Sequence, residues 1–310
     1  MPHSASGQTP SLQDLALEDW FEALDELAEE RGYFQPVGPD HSALFTDRDP
    51  VLLVTFETVK TIRNECEKAL PLGFDLVEGK DWSQLCLIAH SASWFRDKAV
   101  YAFFDRLIDD GFFEDFDKVV FYGEGMCGYA AASFSVASPG ATVIAVQPQA
   151  TLDPRVTEWD RRYPEMRRQD FKSRYGYAPD MIEAAEKAFI IYDPVEALDA
   201  MHAALFNQTH VSKLRCPYFG RKIGRDLRNM GILPQVVEQA FEDALTEHSF
   251  YKLFRARREY FPYLRHLVDR LEDNDHPRFA AAACRHAIAH TGASLESRLS
   301  AIEKSMSEDA

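Results

Sequence analysis

The chain has 310 residues, 46% of them hydrophobic and 27% charged, enough apolar material to bury a large core and too much for a disordered chain. Fifty acids against 34 Lys and Arg leave a net charge of −16, which excludes a general role on duplex DNA or RNA, where phosphates demand a positive surface. Apolar runs such as LCLIA are far short of the ~20 residues of a membrane span, so no membrane partner is expected. The start of the chain has neither a basic n-region nor a continuous apolar stretch, so no signal peptide is read. The five cysteines are odd in number, scattered, and never in a CxxC pair. Composition therefore points to a soluble, reduced, cytoplasmic protein.

In chain order, residues 11–31 set Leu17, Trp20, Leu24 and Leu27 at helical spacing among acids. Residues 1–39 are read as an acidic N-terminal helical segment. Two strand candidates follow, SALFTDR and VLLVTFET, then QLCLIAH and the helical stretch DKAVYAFFDRLIDDGFF. KVVFYG is a strand leading into a small-residue helix, and ATVIAVQPQ is the next strand. A polar, aromatic-rich passage fills 150–178; helix 180–188 then precedes the strand AFIIYDP and a helix through His202. HVSKLRCPYFG supplies the last strand and loop, before a helix ending near Met230. Short apolar strands alternating with helices predict an α/β domain over 40–245: a mostly parallel sheet with helices on both faces. Residues 246–293 read as a helical hairpin turning near Asn274–Pro277, packed on that domain or offering a docking face for a protein partner. The tail, 294–310, is polar and is expected to fray.

The stretch Gly123-Glu124-Gly125-Met126-Cys127-Gly128-Tyr129-Ala130-Ala131 has the outline of strand, tight turn and small-residue helix. It resembles the nucleophile elbow G-x-S-x-G of the α/β-hydrolase superfamily, with the Met-x-Gly-Tyr continuation seen in many members. The resemblance extends over about residues 45–235. It implies an α/β-hydrolase-like fold and a chain order of nucleophile, acid, histidine. The nucleophile position is Gly125, the last motif glycine is replaced by Cys127, and the acid falls on Asp193, with Asp199 a second candidate. Where relatives read Gly-His after the last strand, this chain reads Gly220-Arg221. Glycine cannot form an acyl-enzyme, and arginine, protonated near neutral pH, cannot serve as a general base. The resemblance thus implies a pseudoenzyme, a degenerate member without triad chemistry.

Replacement nucleophiles remain open. Cys127, near a helix N-terminus, is one, with a small buried residue as the competing reading. Ser91 with His90 as base is another, although adjacent residues rarely face each other. Either would make an ester or thioester hydrolase or an acyltransferase. A thiol-dependent sulfonucleotide reductase is a third alternative, weakened because isolated Cys284 supplies no C-terminal cysteine motif. His286 and His290 lie four apart without an acidic third ligand, so no metal is expected. No Walker A or G-x-G-x-x-G pattern occurs, so no cofactor is expected.

Two basic clusters stand out in this acidic chain: the arginines of 155–177, where hydrolases often insert a lid, and Lys213, Arg215, Arg221, Lys222, Arg225 and Arg228. Each reads as a solvated helix face or as an anion site. In the second reading an anionic small molecule is held in the crevice by Glu124, Ser91, Trp94, Arg96, Arg221 and Lys222.

Overall fold

The computed structural model describes residues 10–29, 31–48, 50–77, 79–292 and 294–308. Eight strands form one sheet: β1 (Gly32–Pro36), β2 (His41–Thr46), β3 (Val51–Thr58), β4 (Ser83–Ala89), β5 (Lys118–Glu124), β6 (Thr142–Val146), β7 (Lys187–Tyr192) and β8 (Val211–Arg215). Their order is β1-β2-β4-β3-β5-β6-β7-β8. β2 runs antiparallel to both β1 and β4, and every pairing from β4 to β8 is parallel. This strand order, with its one antiparallel strand second from the edge, makes an α/β-hydrolase-like sheet. β5 lies inside it, between β3 and β6.

β3 to β6 read as near-continuous apolar runs because helices cover both of their faces. Alternate side chains divide between two cores. Leu52, Val54, Phe56, Phe121 and Val143 face the helices Lys98–Asp109 and Met126–Phe134. Leu53, Val120, Tyr122, Ile144 and Val146 face the helices Ile223–Asn229 and Leu233–Phe241. The first helix, Leu17–Glu29, buries Trp20, Leu24 and Ala28 against Leu44, Cys86 and Ile88. The Trp20 indole N–H donates to the Ala69 carbonyl at 2.7 Å, tying that helix down.

Two readings of the sequence change. The N-terminal segment is not helical throughout, since β1 lies within residues 1–39 and joins the sheet. Its GYFQP carries Gly and Pro, which read as breakers but are tolerated on an edge strand. The tail from Ser294 is helical over Glu296–Glu308 rather than frayed. Leu295, Leu299, Ile302 and Met306 follow one another at helical spacing and share a small core with Leu264, Val268, Ala280 and Cys284. That core belongs to the helices Phe261–Asp273 and Pro277–Thr291, which fold back on each other as a hairpin. The hairpin meets the α/β domain beside the loop after β8. There Tyr263 stacks on Phe219 at 4.8 Å, the Tyr260 hydroxyl reaches Asp226 at 3.0 Å, and Arg270 pairs with Glu196 at 3.0 Å. Among the described residues no helix is long and apolar enough to cross a membrane.

Candidate functional site

β5 ends in a turn whose backbone is that of a strained elbow. Gly125 has φ 57° and ψ −119°, a region that side-chain-bearing residues enter only under strain. Its N–H donates to the Val146 carbonyl at 2.8 Å, and its own carbonyl accepts from Tyr129 N–H at 2.9 Å, which starts the helix Met126–Phe134. Gly123 is required by close approach, because a Cβ there would lie 2.2 Å from the Cys127 carbonyl oxygen. At Gly125 the opposite holds: no atom lies within 4 Å of where a Cβ would project. The space a nucleophile would fill is present and empty of side chain.

Of the two residues expected at the acid and histidine positions, Arg221 lines the same cavity as Gly125 and Asp193 does not. Asp193 follows β7 and is fully buried. Its two carboxylate oxygens accept from Val195 N–H at 2.8 Å and Gly220 N–H at 2.7 Å. The carboxylate therefore laces the loop after β7 to the loop after β8, and no ion pair joins it to Arg221 among the described residues. Arg221 is exposed instead, at the mouth of a cavity of about 310 Å³. That cavity opens over the carboxyl ends of β3, β5 and β6, the crevice where α/β sheets bind ligands. Gly125, Glu124, Arg221, Lys222, Arg225 and Asp199 are among its lining residues.

The charges form two groups. Around Arg228, Glu124 accepts from the Tyr122 hydroxyl at 2.8 Å and faces the guanidinium at 3.4 Å. Arg228 also faces Glu65 at 3.4 Å. Glu57, fully enclosed, accepts from Leu72 N–H and from the Thr55 hydroxyl. Burial pushes both the Glu57 and Glu124 carboxyls above their ordinary range, more than Leu72 N–H and Arg228 respectively can offset. In the second group, no carboxylate among the described residues pairs with Arg221 or Lys222.

One wall is a buried polar network. The Ala150 N–H donates to His202 Nδ1 at 3.1 Å, so the ring carries its proton on Nε2 and donates it to Asp160 at 2.9 Å. Arg162 clamps Asp160 at 2.8 Å and Asp199 at 2.6 Å. Gln147 donates to Asp199 at 2.8 Å and to the Gly220 carbonyl at 3.0 Å, and accepts from Ile223 N–H at 3.1 Å. Burial, more than Asp160 can offset, keeps the His202 pKa below its usual value. Burial alone would raise Asp160, but its bonds to His202 and Arg162 hold it well below the carboxylate range.

The other sequence-predicted positions lie elsewhere. Ser91 is exposed on a bend outside the cavity lining, and His90 bonds to the Ser42 hydroxyl at 3.0 Å rather than to Ser91. Trp94 is buried behind the cavity, its indole N–H on Gln149 at 3.2 Å and its ring against Tyr163, which itself lines the site. Arg96 bonds to the Asp170 and Arg174 carbonyls at 2.6–2.9 Å, pinning the segment that follows β6. Cys127 lines the cavity but is buried, and burial, with Glu57 and Glu124 nearby, pushes its thiol well above the ordinary value. That is the reverse of an activated thiolate. His286 and His290 stack on each other, and no group of three metal-ligating side chains occurs among the described residues.

Comparison with known proteins finds distant likenesses only. No protein-family model matches the chain, and no curated protein matches it. Solved structures do. An acetyl ester-xyloside bifunctional hydrolase from Caldicellulosiruptor lactoaceticus is 12% identical, with a TM-score of 0.46, over 69% of this chain and 96% of that one. Est1E from Butyrivibrio proteoclasticus is 11% identical, with a TM-score of 0.43, over 66% and 97%. An esterase from Pyrobaculum calidifontis is 15% identical, with a TM-score of 0.42, over 77% and 94%. Strand order and the elbow, rather than these distant likenesses, define the architecture.

Of the residues around the cavity, Gln147, Arg162, Tyr163 and His202 were not singled out from the sequence. Only the run Arg161-Arg162 in an aromatic passage hinted that a cation from this segment returns to the site.

Proposed function

We propose that this chain is a catalytically degenerate α/β-hydrolase-like protein that binds an anionic small molecule in the crevice above the elbow. One observation carries the reading: Gly125 and Arg221, which the resemblance sets at the nucleophile and histidine positions, line one open cavity, and Arg221 has no carboxylate partner among the described residues. An exposed guanidinium at the mouth of a concave site can hold a carboxylate or phosphate through two parallel hydrogen bonds. The displaced triad acid supports the same reading, since Asp193 is occupied by backbone N–H groups and has no imidazole to orient. Against the hydrolase alternative stand the raised Cys127 thiol and the separation of Ser91 from His90. The helical hairpin, anchored beside the site through Tyr263 and Arg270, is where a protein partner would act on it.

Thermal unfolding with and without simple carboxylates and phosphates tests this. A ligand at 100 times its Kd adds about 2.7 kcal/mol of stability, on the order of 5–10 °C in Tm. The shift should vanish in Arg221→Ala, and no fluorophosphonate label should be retained. Activity-linked labelling of Cys127 or Ser91, or an anion shift indifferent to Arg221→Ala, would overturn the proposal.

A further inference from the structure

The cavity carries charges of both signs, and they fall into two groups. Around the Arg228 guanidinium stand three carboxyl groups: Glu57, which is buried, and Glu124 and Glu65, whose side chains are 29% and 40% exposed. The contacts to Arg228 are long, 3.4 Å each, so this group has more acid than base. In the other group Arg221 and Lys222 have no carboxylate partners among the described residues, and Arg225 has only its neighbour Asp226 at 3.4 Å. The Arg225 Nε is buried and makes no hydrogen bond. The remaining charged residues of the lining, Arg162 and Asp199, pair with each other. The lining therefore has more acid than base around Arg228 and more base than acid around Arg221 and Lys222.

We infer that the ligand is zwitterionic: a molecule with a carboxylate or phosphate that meets Arg221 and Lys222, and an ammonium group that meets Glu124 and Glu65 beside Arg228. A dianion would satisfy the mouth but push its second charge against three carboxyl groups. A dication would do the reverse. Only a ligand of opposed ends is complementary along the whole cavity. This inference rests on the anion-binding reading above and adds to it the second, cationic end of the ligand.

Calorimetric titration with matched straight-chain probes separates the possibilities: ω-amino acids of four to six carbons, the dicarboxylates of the same lengths, and the corresponding diamines. The ω-amino acid of the best length should bind at least tenfold more tightly than either partner of that length. Glu124→Gln should remove that advantage and leave dicarboxylate binding equal or stronger, while Arg221→Ala should weaken ω-amino acid and dicarboxylate alike. Glu65→Gln, whose side chain is partly exposed, repeats the first comparison should Glu124→Gln fail to fold. Dicarboxylates binding as tightly as the amino acids, or an amino-acid preference unchanged in both glutamine variants, would overturn the zwitterion and leave the anion site standing. Diamines binding best would overturn it from the other side. If no carboxylate or phosphate of any kind binds, the anion site itself falls with it.

Discussion

Asp193→Ala distinguishes a structural acid from a catalytic one. In the structure the carboxylate is fully buried and accepts two backbone N–H groups, Val195 at 2.8 Å and Gly220 at 2.7 Å. Hydrogen bonds to charged groups contribute about 1.5–3 kcal/mol each, and truncation leaves the buried Gly220 N–H without a partner. Water admitted to the vacated space recovers part of that loss, so a net destabilisation of about 3–4 kcal/mol is expected. In a domain of this size that lowers Tm by roughly 6–15 °C. Arg221→Ala provides the contrast: the side chain is exposed and unpaired with any carboxylate among the described residues, so its loss should change stability by less than about 0.5 kcal/mol. Denaturant unfolding followed by tryptophan fluorescence, with differential scanning fluorimetry alongside, measures both variants. If Asp193→Ala left the midpoint unchanged but abolished a measurable hydrolysis of p-nitrophenyl acetate, Asp193 would be a working triad acid and the structural argument would be wrong.

Gly123→Ala should destabilise far more than a surface change, because its Cβ would sit 2.2 Å from the Cys127 carbonyl oxygen and backbone cannot move aside cheaply; soluble expression and Tm at wild-type levels would contradict this. All five cysteines are buried, so Ellman's reagent at pH 8 should label none of them before unfolding, and rapid single-site labelling at Cys127 would show an exposed thiolate instead. His202 and Asp160 should each lose their contribution to stability on acidification, in different pH ranges. His202 has a folded pKa below the unfolded value of about 6.5, so its contribution is complete above that pH and is lost as pH falls through the folded value. Asp160, also depressed, contributes above about 3.9 and loses that contribution as pH falls further. Between about pH 7.5 and 4.5 the His202 loss is opposed by the raised Glu57 and Glu124 carboxyls, which stabilise more as pH falls, so the difference in midpoint slope between wild type and His202→Gln isolates the His202 share; an unchanged slope in that variant would place the titration elsewhere.

The sequence by itself determined the sheet. VLLVTFET, SQLCLIA and KVVFYGE carry apolar side chains on both faces, which only a strand between two helical layers can bury, and all three are strands of the interior. It also exposed the elbow, because a turn built on Gly123 and Gly125 depends on local backbone geometry, and local geometry is written in neighbouring residues. The edge strand Gly32–Pro36 and the final helix Glu296–Glu308 were masked for the converse reason. Each has weak local preference, and each is held by partners supplied from elsewhere, β2 for one and the hairpin core for the other. The site shows the same division. Gly125, Asp193 and Arg221 were pointed to by the resemblance of the elbow and its chain order to α/β hydrolases. Only tertiary structure decided that Asp193 is spent on backbone N–H groups while Arg221 is left without an acid, that Arg96 and Trp94 brace the segment after β6 from behind the cavity, and that Gln147, Arg162 and His202 interlock beside it. Hydrogen-bond partners up to 163 residues apart, Arg228 and Glu65, meet there, and no local pattern encodes which of two nearby charges will be satisfied and which will face the open crevice.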